Sequence, residues 1–472
     1  MLYKTACMRK ILPFIVIVSV MFSCLEPDRY PPVDIDEPEY QILKLSESKS
    51  ITCLYSYPSV DENGNPITLS SALVAWKPTD DESVETIKSV IAGCHITITS
   101  NRECPTSALG NFQTGDAAVM ASLPTQADIP ELRRSIMIMP DYQGYGISKD
   151  RIHPYLAQDL TARQVADAVK YGLQLYKDLD NAQPFADDWK TICLGFSQGG
   201  AVALATHRFI EQHAMDDELH FAGSFCGDGP YDLVQTLRYY FEDDGRSYGV
   251  ETQHKKGTTP EPLVIPLLIN GMLQSSPRLK GQTISDYLTK QFIDTGIMDW
   301  IESKEMTTAQ IREKFYKMTE NGLTASDGTY YSPQQMQELF PTRSKSKNLL
   351  GTYYYVTADL SHMFTPGFIG YWNDNSTSLE NGDLFQNMKT AIEDNSLVQG
   401  WEVKNRIVFL HSKYDTTVPL SNYNVFASNH PEAQIRFISY GKDDHEITGT
   451  KFFLSLNDTT FLKDFTWLFA EK

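Results

Sequence analysis

The chain has 472 residues, with 41 basic and 60 acidic side chains and a formal charge of −19. An acidic balance of that size lacks the positive footprint that broad nucleic-acid binding needs. Seven cysteines are too few to staple a fold of this length, and apolar residues at 41% are enough for a real core, which excludes wholesale disorder.

In chain order, the first element is a targeting segment. Lys4, Arg9 and Lys10 precede Ile11–Ser23, an uncharged, largely apolar run of 13 residues. A membrane-spanning helix needs about 20 residues, so this run fits the apolar region of a signal peptide. It ends at Met21-Phe22-Ser23-Cys24, which resembles a bacterial lipobox with Phe22 where a small residue is usual. The expectation is cleavage after residue 23 and acylation of Cys24, giving an exported, membrane-anchored lipoprotein, or a secreted protein if Cys24 is not acylated. Loss of residues 1–23 leaves 38 basic against 60 acidic residues, a charge of −22. Residues 24–48, rich in proline and acid, read as a tether that becomes structured only near Tyr40.

Residues 49–227 alternate strand and helix patterns. Ile51–Tyr57 and Leu69–Trp76 are β-rich runs joined across Asn63-Gly64, a hairpin signal. Strand-like runs follow at Ile91–Thr99, Ser135–Met139, Thr191–Leu194 and Phe221–Phe225. Leu160–Leu179 places Val165, Ala168, Val169, Leu173 and Tyr176 at helical spacing, and Ala201–Ile210 is a second helix. From 228 to 403 the pattern turns mainly helical, with helices at Ile284–Phe292, Thr307–Met318 and Leu379–Asp394 and one strand at Leu263–Leu268. Strands resume in 404–472, at Arg406–Leu410 and Gln434–Ser439. The chain therefore reads as a mostly parallel sheet covered by helices, opened by a hairpin and interrupted by a mainly helical cap.

Gly195-Phe196-Ser197-Gln198-Gly199 falls between a buried strand and a helix whose start is slim, at Gly200 and Ala201. That is the context in which Gly-x-Ser-x-Gly forms a nucleophile elbow: the serine sits on a strained turn where neighbouring Cβ atoms would clash. A nucleophilic serine needs a base, and the base an orienting acid. Asp415 follows the strand at 406–410 and His445 follows the last strand, so serine, acid and histidine arise in that order from three strand ends, at the edge where such sheets bind ligands. Asp443 and Asp444 adjoin His445 too closely to reach behind its ring, and His411 reads as structural.

Pro140-Asp141-Tyr142-Gln143-Gly144-Tyr145-Gly146 follows another strand, and Gly227-Asp228-Gly229-Pro230 a further one. With the elbow, the cap, Asp415 and His445, these segments make residues 50–470 resemble the α/β-hydrolases, and among them the secretory lipase family known from fungi, with bacterial relatives. The resemblance implies an α/β-hydrolase fold and a serine carboxylic-ester hydrolase acting on a small-molecule, lipid or glycan ester. In that family His-Gly-Thr follows the third strand, then a Cys-Ala-Pro-Ser-like run; His95-Ile96-Thr97 and Glu103-Cys104-Pro105-Thr106 correspond, with Ile96 in place of a glycine. The oxyanion donors are then the N–H of Gln198, directly after the nucleophile, and that of Thr97, with Ser100 or Asn101 as alternatives for the second.

The aromatic residues Tyr353-Tyr354-Tyr355, Phe364, Phe368 and Tyr371-Trp372 either line an acyl pocket or form the cap's own core. The histidines are scattered and no metal or dinucleotide fingerprint is present, so no cofactor or metal is expected. Cys53, Cys94, Cys104, Cys193 and Cys226 allow at most two bridges, and Cys193 reads as a buried thiol. Two rival readings keep the fold. One is a serine peptidase of the prolyl-oligopeptidase type, though no propeller-like array precedes the elbow. The other is a non-catalytic binding lipoprotein.

Overall fold

The computed structural model describes residues 30–31, 40–78, 85–111, 115–348, 351–374 and 382–471. The expected signal peptide and Cys24 lie outside them. Nine strands form one sheet: β1 Gln41–Glu47, β2 Ser50–Val60, β3 Pro66–Trp76, β4 Ile87–Cys94, β5 Ser135–Pro140, β6 Phe185–Phe196, β7 Phe221–Gly227, β8 Arg406–His411 and β9 Ile435–Ser439. Their order is β1-β2-β3-β5-β4-β6-β7-β8-β9. β1, β2 and β3 run antiparallel to their neighbours, and β3 also pairs antiparallel with β5. From β5 to β9 every pairing is parallel. The Asn63-Gly64 signal is met by a tight reversal between β2 and β3, with Gly64 at φ +77°. Within the segment 24–48, expected to become structured near Tyr40, Gln41–Glu47 pairs with β2 as the edge strand. Its alternation of Ile42, Leu43 and Leu45 with polar residues gave little buried-strand signal, and all seven residues are exposed.

Crossover helices cover both faces, as parallel pairing demands. Helices α1 (Gln158–Lys177) and α2 (Gln198–Gln212) pack on one face, where Val165, Val169, Leu173, Val202 and Leu204 join a core with Tyr55, Val90 and Cys193. The other face is covered by Asp116–Gln126 and by the C-terminal helices His445–Ser455 and Leu462–Phe469. There Met120, Leu123, Phe452 and Phe465 pack on Ile91, Leu194, Phe225 and Leu410. Phe225 lies 5.4, 5.2 and 5.2 Å from the rings of Phe452, Phe461 and Phe465, an aromatic cluster that anchors the last two helices under β7.

The insertion is less purely helical than its sequence suggests. Leu263–Leu268 is not a strand: Val264–Ser275 is a helix. Its run of β-branched residues imitates a strand, but Pro266 falls in the first turn, where a missing N–H costs nothing, and Ile265, Leu268, Ile269 and Met272 share a buried face. Ile284–Phe292 is likewise not one helix. It divides into a single turn at Ile284–Asp286 and a helix at Lys290–Ile293, because Thr289 starts a new cap by accepting the Phe292 N–H at 3.3 Å. Thr308–Asn321 and Gly382–Asp394 match expectation. A three-stranded sheet was missed: Thr342–Asn348 pairs with Gly351–Asp359, which pairs with Thr258–Thr259. The cap's apolar residues, including Phe292, Phe315, Phe364 and Phe385, belong to the same buried cluster as α1 and α2. Cap and sheet are therefore one hydrophobic body.

Candidate active site

β6 ends at Phe196 and α2 begins at Gln198, so Ser197 alone makes the turn, at φ +57° and ψ −125°. A side chain rarely tolerates that backbone, and the surrounding packing must hold it there. The glycines show how. A Cβ on Gly195 would lie 2.3 Å from the Gly199 carbonyl oxygen, and one on Gly199 only 2.1 Å from that of Cys94. The elbow is thus pressed against the end of β4, which brings Cys94 and His95, where the next loop starts, beside the Ser197 turn.

The three expected triad residues meet. His445 Nε2 lies 2.8 Å from Ser197 Oγ, and His445 Nδ1 lies 2.5 Å from Asp415 Oδ2. Asp415 is buried, and its Oδ1 accepts the N–H groups of Thr417 and Val418, each at 2.8 Å. The turn-forming bonds that an Asp before Thr-Thr favours are thus present, and they fix the acid behind the imidazole rather than replacing that role. His445 opens helix His445–Ser455, whose cap is Asp444, accepting the Ile447 N–H at 2.9 Å. Asp443 pairs with Lys451 at 2.6 Å. Neither neighbour competes for the ring. Phe196 packs 5.1 Å from the His445 ring. His411 is buried, its Nε2–H donating to the Val418 carbonyl at 2.9 Å, and burial pushes it down and keeps it neutral.

The loop expected to carry the second oxyanion donor is partly committed. The Ile96 N–H donates to Asp116 Oδ2 at 2.8 Å, the Ser100 N–H to Glu103 Oε2 at 3.2 Å and the Asn101 N–H to the Lys304 carbonyl at 2.7 Å. These bonds occupy both alternatives to Thr97. The Thr97 hydroxyl lies 2.9 Å from the Tyr155 hydroxyl. Gln198 holds the first N–H of α2, which has no acceptor within its own helix. The Gln198 side chain is held by His153, whose Nε2 lies 3.0 Å from Gln198 Nε2. Burial pushes His153 down to about 3. Its Nδ1–H donates to the Gln143 carbonyl at 2.8 Å, so the neutral ring accepts from Gln198. Chain order alone sets His153 aside, and nothing in its neighbourhood in sequence marks this contact.

The Asp141 segment forms the wall beside this loop. Asp141 is fully buried and accepts from Ser70 Oγ at 2.6 Å and from the Thr106 N–H at 2.8 Å. Gly146, at φ +60°, has no room for a Cβ, which would fall 2.0 Å from Asp141 Oδ2. A second acid also lies at the triad: Asp228, at the end of β7. Asp228, Asp415 and His445 each offer a ligand-type atom within 4.8 Å of the others, and His445 Nδ1 is already engaged by Asp415. The five cysteines are all buried free thiols, which answers the open question of bridges among them. Phe364, Phe368 and Tyr371 are buried against one another and Phe385, so they serve as the cap's core.

No protein-family model matches the sequence, and no curated protein matches it. Solved structures do. A ligand-bound form of the rice cell wall degrading esterase LipA from Xanthomonas oryzae aligns over 93% of this chain and all of its own, with 17% identity and a TM-score of 0.62. Candida antarctica lipase A in its closed state aligns over 95% of this chain and 87% of its own, with 12% identity and a TM-score of 0.54. Likeness over nearly the whole length, cap included, together with the sheet order and the elbow, establishes that the chain has the α/β-hydrolase fold.

Proposed function

We propose that the protein is a serine carboxylic-ester hydrolase working through Ser197, His445 and Asp415. The single observation that carries this is the unbroken chain of contacts from Ser197 Oγ to His445 to a buried, doubly N–H-bonded Asp415 on a strained elbow. In the first half-reaction His445 Nε2 takes the Ser197 proton as Oγ attacks the ester carbonyl. Asp415 fixes the tautomer and stabilises the imidazolium. The N–H groups of Gln198 and Thr97 hold the oxyanion; one such donor is worth about 2.7–4 kcal/mol. His445 then protonates the departing alkoxide, and water, deprotonated by His445, releases the acid from Ser197. That the structural neighbours named above are an esterase and a lipase supports an ester over an amide substrate. The segment Ile11–Ser23 followed by Cys24 supports export with a lipid anchor on Cys24, outside the described residues.

The test is hydrolysis of a nitrophenyl butyrate, with a prolyl nitroanilide in parallel and a fluorophosphonate probe as label. Turnover of the ester with label on Ser197 is expected, and Ser197→Ala should lower kcat by ~10⁴-fold or more. Full activity in a pure Ser197→Ala preparation would sink the triad. Preference for the anilide would move the reading to a peptidase.

A further inference from the structure

Asp228 is a carboxyl that the acyl-transfer scheme does not use, yet it touches the triad. It follows β7 at φ +36°, and its N–H donates to the Leu410 carbonyl at 2.9 Å, which locks the backbone to β8. Its side chain is fully buried. Oδ1 accepts the Ser412 N–H at 3.0 Å and lies 3.6 Å from His411 Nδ1. Oδ2 is buried with no N–H or hydroxyl donor facing it among the described residues. A bare carboxylate oxygen in such a place would carry a charge that neither water nor a donor compensates. A protonated oxygen there needs only an acceptor, and the Asp415 carboxyl stands beside Asp228, an oxygen of each lying within 4.8 Å of the other.

The surrounding groups decide which acid holds the proton. Asp415 receives two backbone N–H bonds and the His445 ring, whereas Asp228 receives one backbone N–H. The remaining titratable neighbours of the pair include His411, Tyr231, Tyr240 and Tyr239, whose phenol burial also pushes up. His411 spends its Nε2–H on Val418 and turns an Nδ1 lone pair toward Asp228, so it brings no positive charge. Tyr231 and Tyr240 are buried and pushed up, hence neutral. Two fully buried carboxylates this close cannot both ionise, and the one with fewer donors keeps the proton. Burial and the Asp415 charge both push Asp228 well above the ordinary carboxylate range.

We propose that Asp228 is a protonated carboxylic acid that donates Oδ2–H to the Asp415 carboxylate, a positioning residue that holds the triad acid in place and limits how tightly it retains the His445 proton. Without that donor Asp415 concentrates its charge on the imidazole, which then keeps its proton to higher pH, so that less of it is in the free-base form at neutrality. An ionised Asp228 would do the same more strongly, by placing a second negative charge near the ring. The proposal rests on the triad reading above.

The test compares Asp228→Ala with Asp228→Asn in the full-length protein. Alanine removes the donor and should lower kcat about ten- to hundredfold and move the acid limb of the kcat/KM profile upward. Asparagine can accept the Ser412 N–H through Oδ1 and donate to Asp415 through Nδ2, so it should restore most of kcat and return the limb to its wild-type position. A limb that moves downward in Asp228→Asn would show that a negative charge had been removed and would overturn the proposal; so would an asparagine variant no better than alanine. A second readout needs no turnover. The infrared difference spectrum of wild type minus Asp228→Asn at neutral pH should contain the C=O stretch of a protonated carboxyl, and its absence refutes the assignment even if the triad reading stands.

Discussion

The strands of the sheet and those of the cap are built from opposite kinds of sequence. β5, β7 and β8 are buried at every residue, and they read as short runs of apolar or small residues, broken only by Arg406 and His411 at the ends of β8. Thr342–Asn348, Thr-Arg-Ser-Lys-Ser-Lys-Asn, has no apolar residue and is exposed from Thr342 to Lys347, yet pairs along its whole length with Gly351–Asp359. A strand covered by helices on both faces must carry its burial in its composition. A strand on the outside of a small sheet is held by the backbone ladder and by its neighbour's packing, here Tyr353 and Tyr354 against the helix Thr308–Asn321. Ser197 and Asp415 follow strands of the central sheet that are buried at their carboxyl ends, and His445 follows the half-buried β9 at its edge. The cap therefore should tolerate change that the sheet edge does not, and the following variants break or sharpen that contrast.

The largest effect belongs to Asp415. In Asp415→Asn an amide would face His445 Nδ1, turning the imidazole to the tautomer whose Nε2 carries the proton and cannot accept one from Ser197. A fall in kcat of about 10⁴-fold is expected, with little change in thermal stability, measured on the nitrophenyl ester and by calorimetry. A modest fall would mean that another acid supports the ring, and Asp228 stands nearest. The triad itself is legible in sequence because serine, acid and histidine each follow their own strand in that order and the serine carries the glycines of the elbow; the turn that holds Asp415 and the Asp444 cap before His445 show only in the structure. Asp228 and His153 are not legible in that way. Their roles depend on contacts with Asp415 and Gln198, 187 and 45 positions away in sequence, and no spacing rule connects them.

His153 gives the next effect, on stability rather than rate. The folded ring titrates at about 3, against an ordinary value of 6.5. The unfolded chain therefore binds a proton that the folded one refuses. The stabilising contribution is complete above about pH 6.5 and is lost as pH falls toward 3, by up to about 1.4 kcal/mol per pH unit. His153→Gln keeps an acceptor for Gln198 and a donor for the Gln143 carbonyl, but does not titrate. Urea denaturation at pH 7, 5 and 4 should show the wild type losing about 2 kcal/mol more than the variant between pH 7 and 5. Parallel curves would mean that the ring is reached by water or by a compensating anion.

The smallest effect belongs to Arg312, a guanidinium that ties cap to sheet edge. Arg312, on the cap helix, donates Nε–H to Glu261 Oε2 at 2.8 Å and reaches Glu446, the residue after His445, at 2.5 Å. Its guanidinium also lies 5.6 Å from the Tyr353 ring centre. Only a planar, multidentate cation serves two carboxylates and a ring together. Arg312→Met keeps the apolar stem against Tyr353 and removes the charge, and should lower stability by about 1 kcal/mol. Arg312→Lys, a point donor on a similar stem, should fall between the two. Because the guanidinium is mostly shielded from solvent, raising the salt from 0.1 to 0.5 M should recover little of the difference. If Arg312→Met is as stable as the wild type, the cap is held by its shared hydrophobic cluster alone. If it is less stable while Ser197 still reacts with the fluorophosphonate at the wild-type rate, the ion pairs secure the cap without shaping the triad, which is what the burial of Asp415 and the two N–H bonds to its carboxylate lead one to expect.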